Sequence, residues 1–171
     1  MIRGPRLALV VVLLAALPGC GVRGLNFQED DRLTIVAPED RAEVRLPVTV
    51  RWTVRDFRVT GRDGSRQPDT GYFGVFVDRE PQPPERTLEW LVRDDEQCRS
   101  DPACPNETFL ADLNIHSTTD TSFTIDRLPL PDADAVERRE IHDVTIVLLN
   151  GRGERIGESA FILQFQVDRG D

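Results

Sequence analysis

The 171-residue chain contains no lysine, so all 21 of its basic residues are arginine. Aromatic residues make up only 6% of the chain, and there are two histidines, His116 and His142. A zinc site or a histidine-based catalyst needs further ligands or a nucleophile at recognisable spacing, and neither histidine has them. No glycine-rich phosphate loop follows a predicted strand and opens a helix. We therefore expect a protein that is not an enzyme and that holds no metal or cofactor.

Acidic side chains outnumber basic ones by 30 to 21. The first 19 residues contain two arginines and no acid, which leaves 19 basic and 30 acidic side chains, or a net charge of −11, on the rest of the chain. Binding to nucleic acid or to anionic lipid headgroups requires clustered positive charge. The balance predicts that the protein does not bind nucleic acid and that its surface repels anionic lipid headgroups.

The N-terminus has the pattern of an export signal. Arg3 and Arg6 precede an uncharged apolar run over 7–17, which is shorter than the roughly 20 residues of a membrane-spanning helix. The next residues, LPGC at 17–20, resemble the lipobox of bacterial lipoproteins. The resemblance implies cleavage before Cys20 and lipid attachment to its thiol, which would anchor the protein to the extracytoplasmic face of a bacterial cell membrane. A secretory signal with an incidental cysteine and an uncleaved signal anchor are the alternatives.

Three regions follow from this pattern: a signal peptide at 1–19, a lipidated N-terminus and flexible tether at 20–32, and one domain at 33–171. The other two cysteines, Cys98 and Cys104, lie six positions apart. A disulfide between them is expected in an oxidising extracytoplasmic compartment. The alternative is a metal site, although a structural zinc ion takes four ligands and no further His or Cys lies nearby.

Short apolar segments separated by turn signals predict an all-β domain. In the segment 48–54, apolar residues alternate with polar ones, the pattern of a half-buried strand. Further strands are expected at 33–36, 71–77, 88–92, 109–115, 123–125, 144–148 and 161–167. The one helical candidate, 131–140, reads better as a solvated turn. Seven to nine strands at this spacing indicate an antiparallel β-sandwich of the immunoglobulin-like class.

The C-terminal third resembles the E–F–G region of fibronectin type III domains. The resemblance is carried by TSFTIDRLPLP and HDVTIVLLNGRGERIGES, in which Leu128-Pro129, Asn150, Gly153 and Glu158-Ser159 match the family pattern. Trp52 resembles the core tryptophan of the family's second strand. Two departures are His142 at the position of the family's corner tyrosine, where we expect it to bond the preceding connection, and a longer region at 79–120. The resemblance implies an adhesion, spacing or ligand-binding module.

Two groups of residues are candidate binding positions. Trp90 and Tyr72 could stack against a sugar ring, or could instead pack in the core. The acids Asp94, Asp95 and Asp101 flank the disulfide loop and could bind calcium, although they lack the D-x-D-x-D-G spacing and a solvated charge run is the simpler interpretation.

The sequence thus predicts a membrane-anchored module that binds an envelope protein or cell-wall partner, or has a structural role. The alternative is a lipoprotein that binds a small ligand or carbohydrate through the aromatics and the disulfide loop. Clustered exposed aromatics would favour the sugar ligand, whereas an apolar patch or an open sheet edge would favour a protein. In a fibronectin-like sandwich the loops 56–70 and 150–157 would lie at the end where the tether arrives, and would face the membrane unless the tether lets the domain turn over.

Overall fold

The computed structural model describes residues 31–128 and 140–168, which form two packed β-sheets. Cys20 and the residues 129–139 of the helical candidate and its flank lie outside the described residues. The first sheet has the order β1 (Leu33–Ala37), β3 (Val48–Val54), β7 (Ser122–Ile125). The second sheet has the order β2 (Ala42–Val44), β9 (Phe161–Val167), β8 (Glu140–Asn150), β5 (Thr70–Val77), with β4 (Arg58–Val59) and β6 (Ile115–Thr118) on the far side of β5.

This arrangement confirms an all-β sandwich, with nine strands in the described ranges. The expectation of purely antiparallel sheets is wrong at two places, because β2 pairs in parallel with β9 and β4 in parallel with β5. The chain passes from β1 in the first sheet to β2 in the second without reversing direction. Since β2 and β4 are only three and two residues long, no alternation in the sequence could have indicated their pairing.

The first hydrophobic core fills the space between the two sheets. Along β3 the side chains of Val48, Val50 and Trp52 are buried, and the intervening residues are exposed, which confirms the predicted alternation. The Trp52 ring meets Phe73 of β5 edge to face, with ring centroids 5.3 Å apart, a favoured geometry for aromatic pairs. This contact holds the centres of the two sheets together.

A second core lies on the outer face of the second sheet, so all eight residues of β5 are buried. It is covered by the connection from β5 to β6, which contains a 3₁₀ helix (Leu88–Val92), α1 (Glu96–Ser100) and α2 (Glu107–Asp112). Its buried members are Tyr72, Phe76, Leu88, Leu110, Ile115, Val147 and Leu149. The domain is therefore a sandwich with a third, partly helical layer.

The strands predicted at 88–92 and 109–115 are wrong, because helical turns occupy most of both segments. Leu88 and Val92 are the buried residues of the first segment, and Trp90 between them is only partly buried. In the second segment α2 ends at Asp112 and only Ile115 belongs to a strand. In segments this short, apolar residues fit both periods, so alternation alone does not separate strand from helix.

The strands at 33–36, 71–77, 123–125, 144–148 and 161–167 are confirmed, with ends that differ by at most four residues. The turn after β8 is built by Asn150, whose Oδ1 accepts hydrogen bonds from the backbone N–H groups of Arg152 (2.9 Å) and Glu154 (3.0 Å). His142 is 8% exposed on β8, and its Nδ1 lies 2.7 Å from Oδ2 of Asp78, just after β5. This bond joins β8 to the end of β5, whereas most of the preceding connection that was expected to bond His142, residues 129–139, lies outside the described residues.

Candidate functional site

The disulfide loop is the first candidate site, and its Cys98–Cys104 bond is confirmed, with Cα atoms 4.8 Å apart. Asp95 is the N-cap of α1, and its Oδ1 accepts hydrogen bonds from the N–H groups of Gln97 (2.9 Å) and Cys98 (3.1 Å). A capping carboxylate satisfies N–H groups that have no partner within the helix. The disulfide therefore closes a loop whose helix already has a defined start.

The other two acids of this loop also serve local contacts. Asp101 Oδ1 accepts from the Ala103 N–H at 2.8 Å, and Asp94 forms an exposed ion pair with Arg93 at 3.3 Å. In 31–128 and 140–168, no group of three or more His, Cys, Asp or Glu side chains is arranged to hold a metal ion. The geometry thus gives the calcium hypothesis for these three carboxylates no common site.

The two aromatic candidates lie in different environments. Tyr72 is 2% exposed in the second core, where burial raises the pKa of its phenol. Trp90 is partly exposed in the 3₁₀ helix, and the guanidinium carbon of Arg93 lies 3.8 Å from the centroid of its ring. A sugar ring needs an open aromatic face, which Tyr72 does not offer. The structure therefore brings together no exposed aromatic pair at this loop.

The loops 56–70 and 150–157 meet at one end of the sandwich. The Gly64 N–H donates to the Gly151 carbonyl at 3.0 Å, and a Cβ on Gly151 would lie 1.8 Å from Oδ1 of Asp63. The guanidinium of Arg32, which precedes β1, donates to the Pro68 carbonyl at 2.8 Å. The chain therefore enters the domain beside these loops. The turn between β6 and β7 lies here too, because a Cβ on Gly61 would contact Thr119 at 3.5 Å. We call this end, residues 31–32, 55–69, 85–86, 119–121 and 151–158, the proximal end.

A cleft of about 440 Å³ lies at the proximal end, and charged side chains line it. Arg155 is 9% exposed and donates to the carbonyls of Gln82 (2.8 Å) and Glu158 (2.6 Å), so its two terminal nitrogens hold two segments together. Burial lowers the pKa of this guanidinium. The Glu154 carboxylate likewise accepts from Asn150 and faces Arg66 at 3.4 Å. These charges are engaged within the chain, which favours a structural role.

A different surface lies between β6 and β7, and sequence reasoning missed it. Within the described ranges β6 pairs only with β5 and β7 only with β3, so each is an edge of its sheet. Two adjoining clefts of about 400 and 450 Å³ run between these strands and α2, and both are lined by Ala111, His116 and Phe123. The His116 and Phe123 rings lie 4.6 Å apart between centroids. We call the surface formed by these two clefts the edge groove.

The edge groove has a weakly polar floor and an acidic rim. Burial lowers the pKa of His116, so its imidazole is uncharged at neutral pH. Glu107, Asp112 and Asp126 line the clefts with a single cation, Arg127. The whole segment 94–127 contains eight acidic residues and two arginines. The groove therefore lies in the most acidic part of the described chain.

An exposed apolar surface lies on the other side of the sandwich, where Val36 and Ile162 are 53% and 63% exposed beside a cleft between β1 and β9.

The described residues include no helix long and apolar enough to cross a membrane. Asn106 caps α2, because its Oδ1 accepts a hydrogen bond from the Phe109 N–H at 2.9 Å. This residue was the sequence signal that could have indicated a helix beside β6.

Comparison of the chain with protein-family models, curated proteins and solved structures gives no match.

Proposed function

We propose that this chain is a lipid-anchored, non-enzymatic module of the bacterial cell envelope that binds a protein partner through the edge groove. The observation that carries the proposal is the pair of open edges, β6 and β7, on either side of one groove. An edge strand presents unpaired backbone N–H and C=O groups, and an extended segment of another protein can pair with them. The partly buried Phe123 offers an apolar contact beside this backbone surface.

The partner segment is basic and extended. Eight acids and two arginines over 94–127 give the groove region a charge of −6, which attracts Lys- and Arg-rich segments and repels acidic ones. Backbone pairing supplies affinity in such complexes, and alternate side chains of the added strand supply specificity.

An immunoglobulin-like identity for the sandwich supports the same role. The β1–β3–β7 sheet and the neighbouring strands β9–β8–β5 correspond to the A–B–E and G–F–C groups of immunoglobulin-type sandwiches. The segments that resemble the fibronectin E–F–G region contribute β7, β8 and β9. Because one such fold hosts many functions, we infer the class of partner from the groove and not from the fold.

The anchor is tested by replacing Cys20 with alanine. We expect the wild-type protein to fractionate with membranes and the Cys20→Ala protein to be released, since two or more acyl chains hold a protein stably at a bilayer. The mass of the mature N-terminal peptide gives an independent readout of lipidation. Retention of the variant in the membrane, with an unmodified Cys20 in the wild type, would contradict the proposal.

The partner site is tested with Phe123→Arg, which places a positive charge on the groove floor. Chemical cross-linking and capture from intact cells should lose the partner by about tenfold or more, a change of ~1.4 kcal/mol. The matched control is Ile162→Arg on β9, three strands away from β6 in the same sheet. Thermal stability close to that of the wild type in both variants would show that folding is preserved. Loss of capture with the Ile162 variant but not the Phe123 variant would refute the edge groove as the site.

A further inference from the structure

We infer that the proximal end of the sandwich faces the membrane surface, so that the acidic edge groove points away from the bilayer. The inference rests on the lipid anchor at Cys20 proposed above. It concerns the orientation of the domain, which anchoring alone does not determine.

Charge is unevenly distributed over the described residues. The proximal end holds eight of the 15 arginines and eight of the 24 acidic residues in 31–128 and 140–168, a net charge of zero. The remaining seven arginines and 16 acids give the rest of the described chain a net charge of −9. The repulsion expected from the sequence therefore does not apply to every face.

The chain also arrives at this end. Asp31 forms an ion pair with Arg55, and the Arg55 N–H donates to the Arg32 carbonyl at 2.9 Å. Together with the bond from Arg32 to Pro68 at 2.8 Å, these contacts hold the start of the domain against the proximal loops. A lipid on Cys20 is therefore connected to the domain at the end that carries the least negative charge.

Tether length does not fix the orientation. The eleven residue-to-residue steps from Cys20 to Asp31 span at most about 36–40 Å. The sandwich measures about 23 Å along β5 from Thr70 to Val77, so a fully extended tether allows either end to face the lipid. A bias in free energy must select one orientation.

The membrane field supplies this bias. The potential of an anionic bilayer decays over a Debye length of about 8 Å at physiological ionic strength, so it acts mainly on the end that is nearest. Because β5 runs away from the proximal end, Val77 and the neighbouring groove residue Asp126 lie near the opposite end. The proximal end therefore approaches anionic headgroups with less repulsion than the acidic end.

Orientation can be measured with the full-length lipidated protein on vesicles. A donor dye is placed at Gln67, on the proximal end, or at Glu39, in the turn after β1 at the opposite end; both side chains are exposed. Energy transfer to a headgroup-labelled lipid is compared between vesicles of equal parts phosphatidylcholine and phosphatidylglycerol and vesicles of phosphatidylcholine alone. We expect stronger transfer from Gln67 than from Glu39 on the anionic vesicles, and a smaller difference on the neutral ones.

The test variant is Arg58→Glu with Arg152→Glu, two exposed proximal positions. Its control is Arg41→Glu with Arg99→Glu, which changes the net charge equally but outside the proximal end. The proximal pair should abolish the difference in transfer on anionic vesicles, and the control pair should preserve it. Flotation of the protein with equal transfer from both dyes, or an unchanged difference in the proximal variant, would overturn the orientation alone. Failure of the wild type to float would overturn the anchor and the orientation with it.

Discussion

Replacing Leu88 with alanine tests whether the helical connection is an integral third layer of the domain. Leu88 is 1% exposed in the second core. Leu-to-Ala changes at buried sites cost about 2–5 kcal/mol through lost transfer free energy and the cavity left behind. Because the 3₁₀ helix lies in an outer layer that can partly collapse into the space, we expect a loss of about 3 kcal/mol of unfolding free energy.

The assay is urea unfolding of the mature chain carrying Cys20→Ala, followed by circular dichroism and tryptophan fluorescence. For a slope of about 2–3 kcal/mol per molar urea, the midpoint should fall by about 1–1.5 M with the slope unchanged. The melting temperature should fall by about 6–12 °C. The control Ile162→Ala, at a side chain that is 63% exposed, should change stability by no more than about 0.5 kcal/mol. Equal effects of the two variants, or an earlier separate transition in the wild type, would refute the packed third layer.

Three further predictions concern single contacts. Gly71→Ala should destabilise the fold by more than about 3 kcal/mol in thermal melting, because its Cβ would lie 1.9 Å from a backbone carbonyl oxygen of β8; Gly64→Ala, which shares a positive φ but has open space, should cost clearly less. Replacing both Cys98 and Cys104 with serine should lower the unfolding free energy by about 2 kcal/mol, and added reductant should then leave the variant unchanged while destabilising the wild type. Burial depresses the pKa of His116, so the unfolded chain binds the proton first as the pH falls below about 6.5; the wild type should lose stability there, and His116→Gln should flatten that slope.

The confirmed strands are those in which burial imposed a clear pattern. In β3, one face packs on the core and the other meets solvent, which produces strict alternation. In β5, both faces are buried, and the result is a continuous apolar run from Tyr72 to Val77, interrupted only by Gly74. Neither strand is an edge of its sheet, and the apolar pattern of each predicts its conformation without knowledge of long-range contacts.

The helical layer could not be predicted in the same way. Its turns are five or six residues long, too short for a helical period to stand out against alternation. Their stability comes from packing on the outer face of β5 and β8, which is a long-range contact. The caps Asp95 and Asn106 were visible in the sequence, yet cap residues are equally common in loops.

The candidate sites also differ in whether local sequence or long-range contacts determine them. The disulfide was predictable from cysteine spacing and compartment alone. The sugar hypothesis for Tyr72 required knowledge of which side of β5 is covered, and the helical layer covers it. Predicting the edge groove requires the relative positions of α2, β6 and β7. The sequence instead predicts a single strand over 109–115, which covers most of α2 and the first residue of β6.

The most direct test of the central claim is photo-cross-linking in intact cells from a reactive residue placed at Ser117, in the edge groove. The same residue at Ile162, and the Ser117 probe combined with Cys20→Ala, are the controls. Our account predicts a specific protein adduct from position 117, absent from position 162 and lost when the anchor is removed. Membrane-bound protein that forms no adduct from position 117, or the same adducts from both positions, would contradict it.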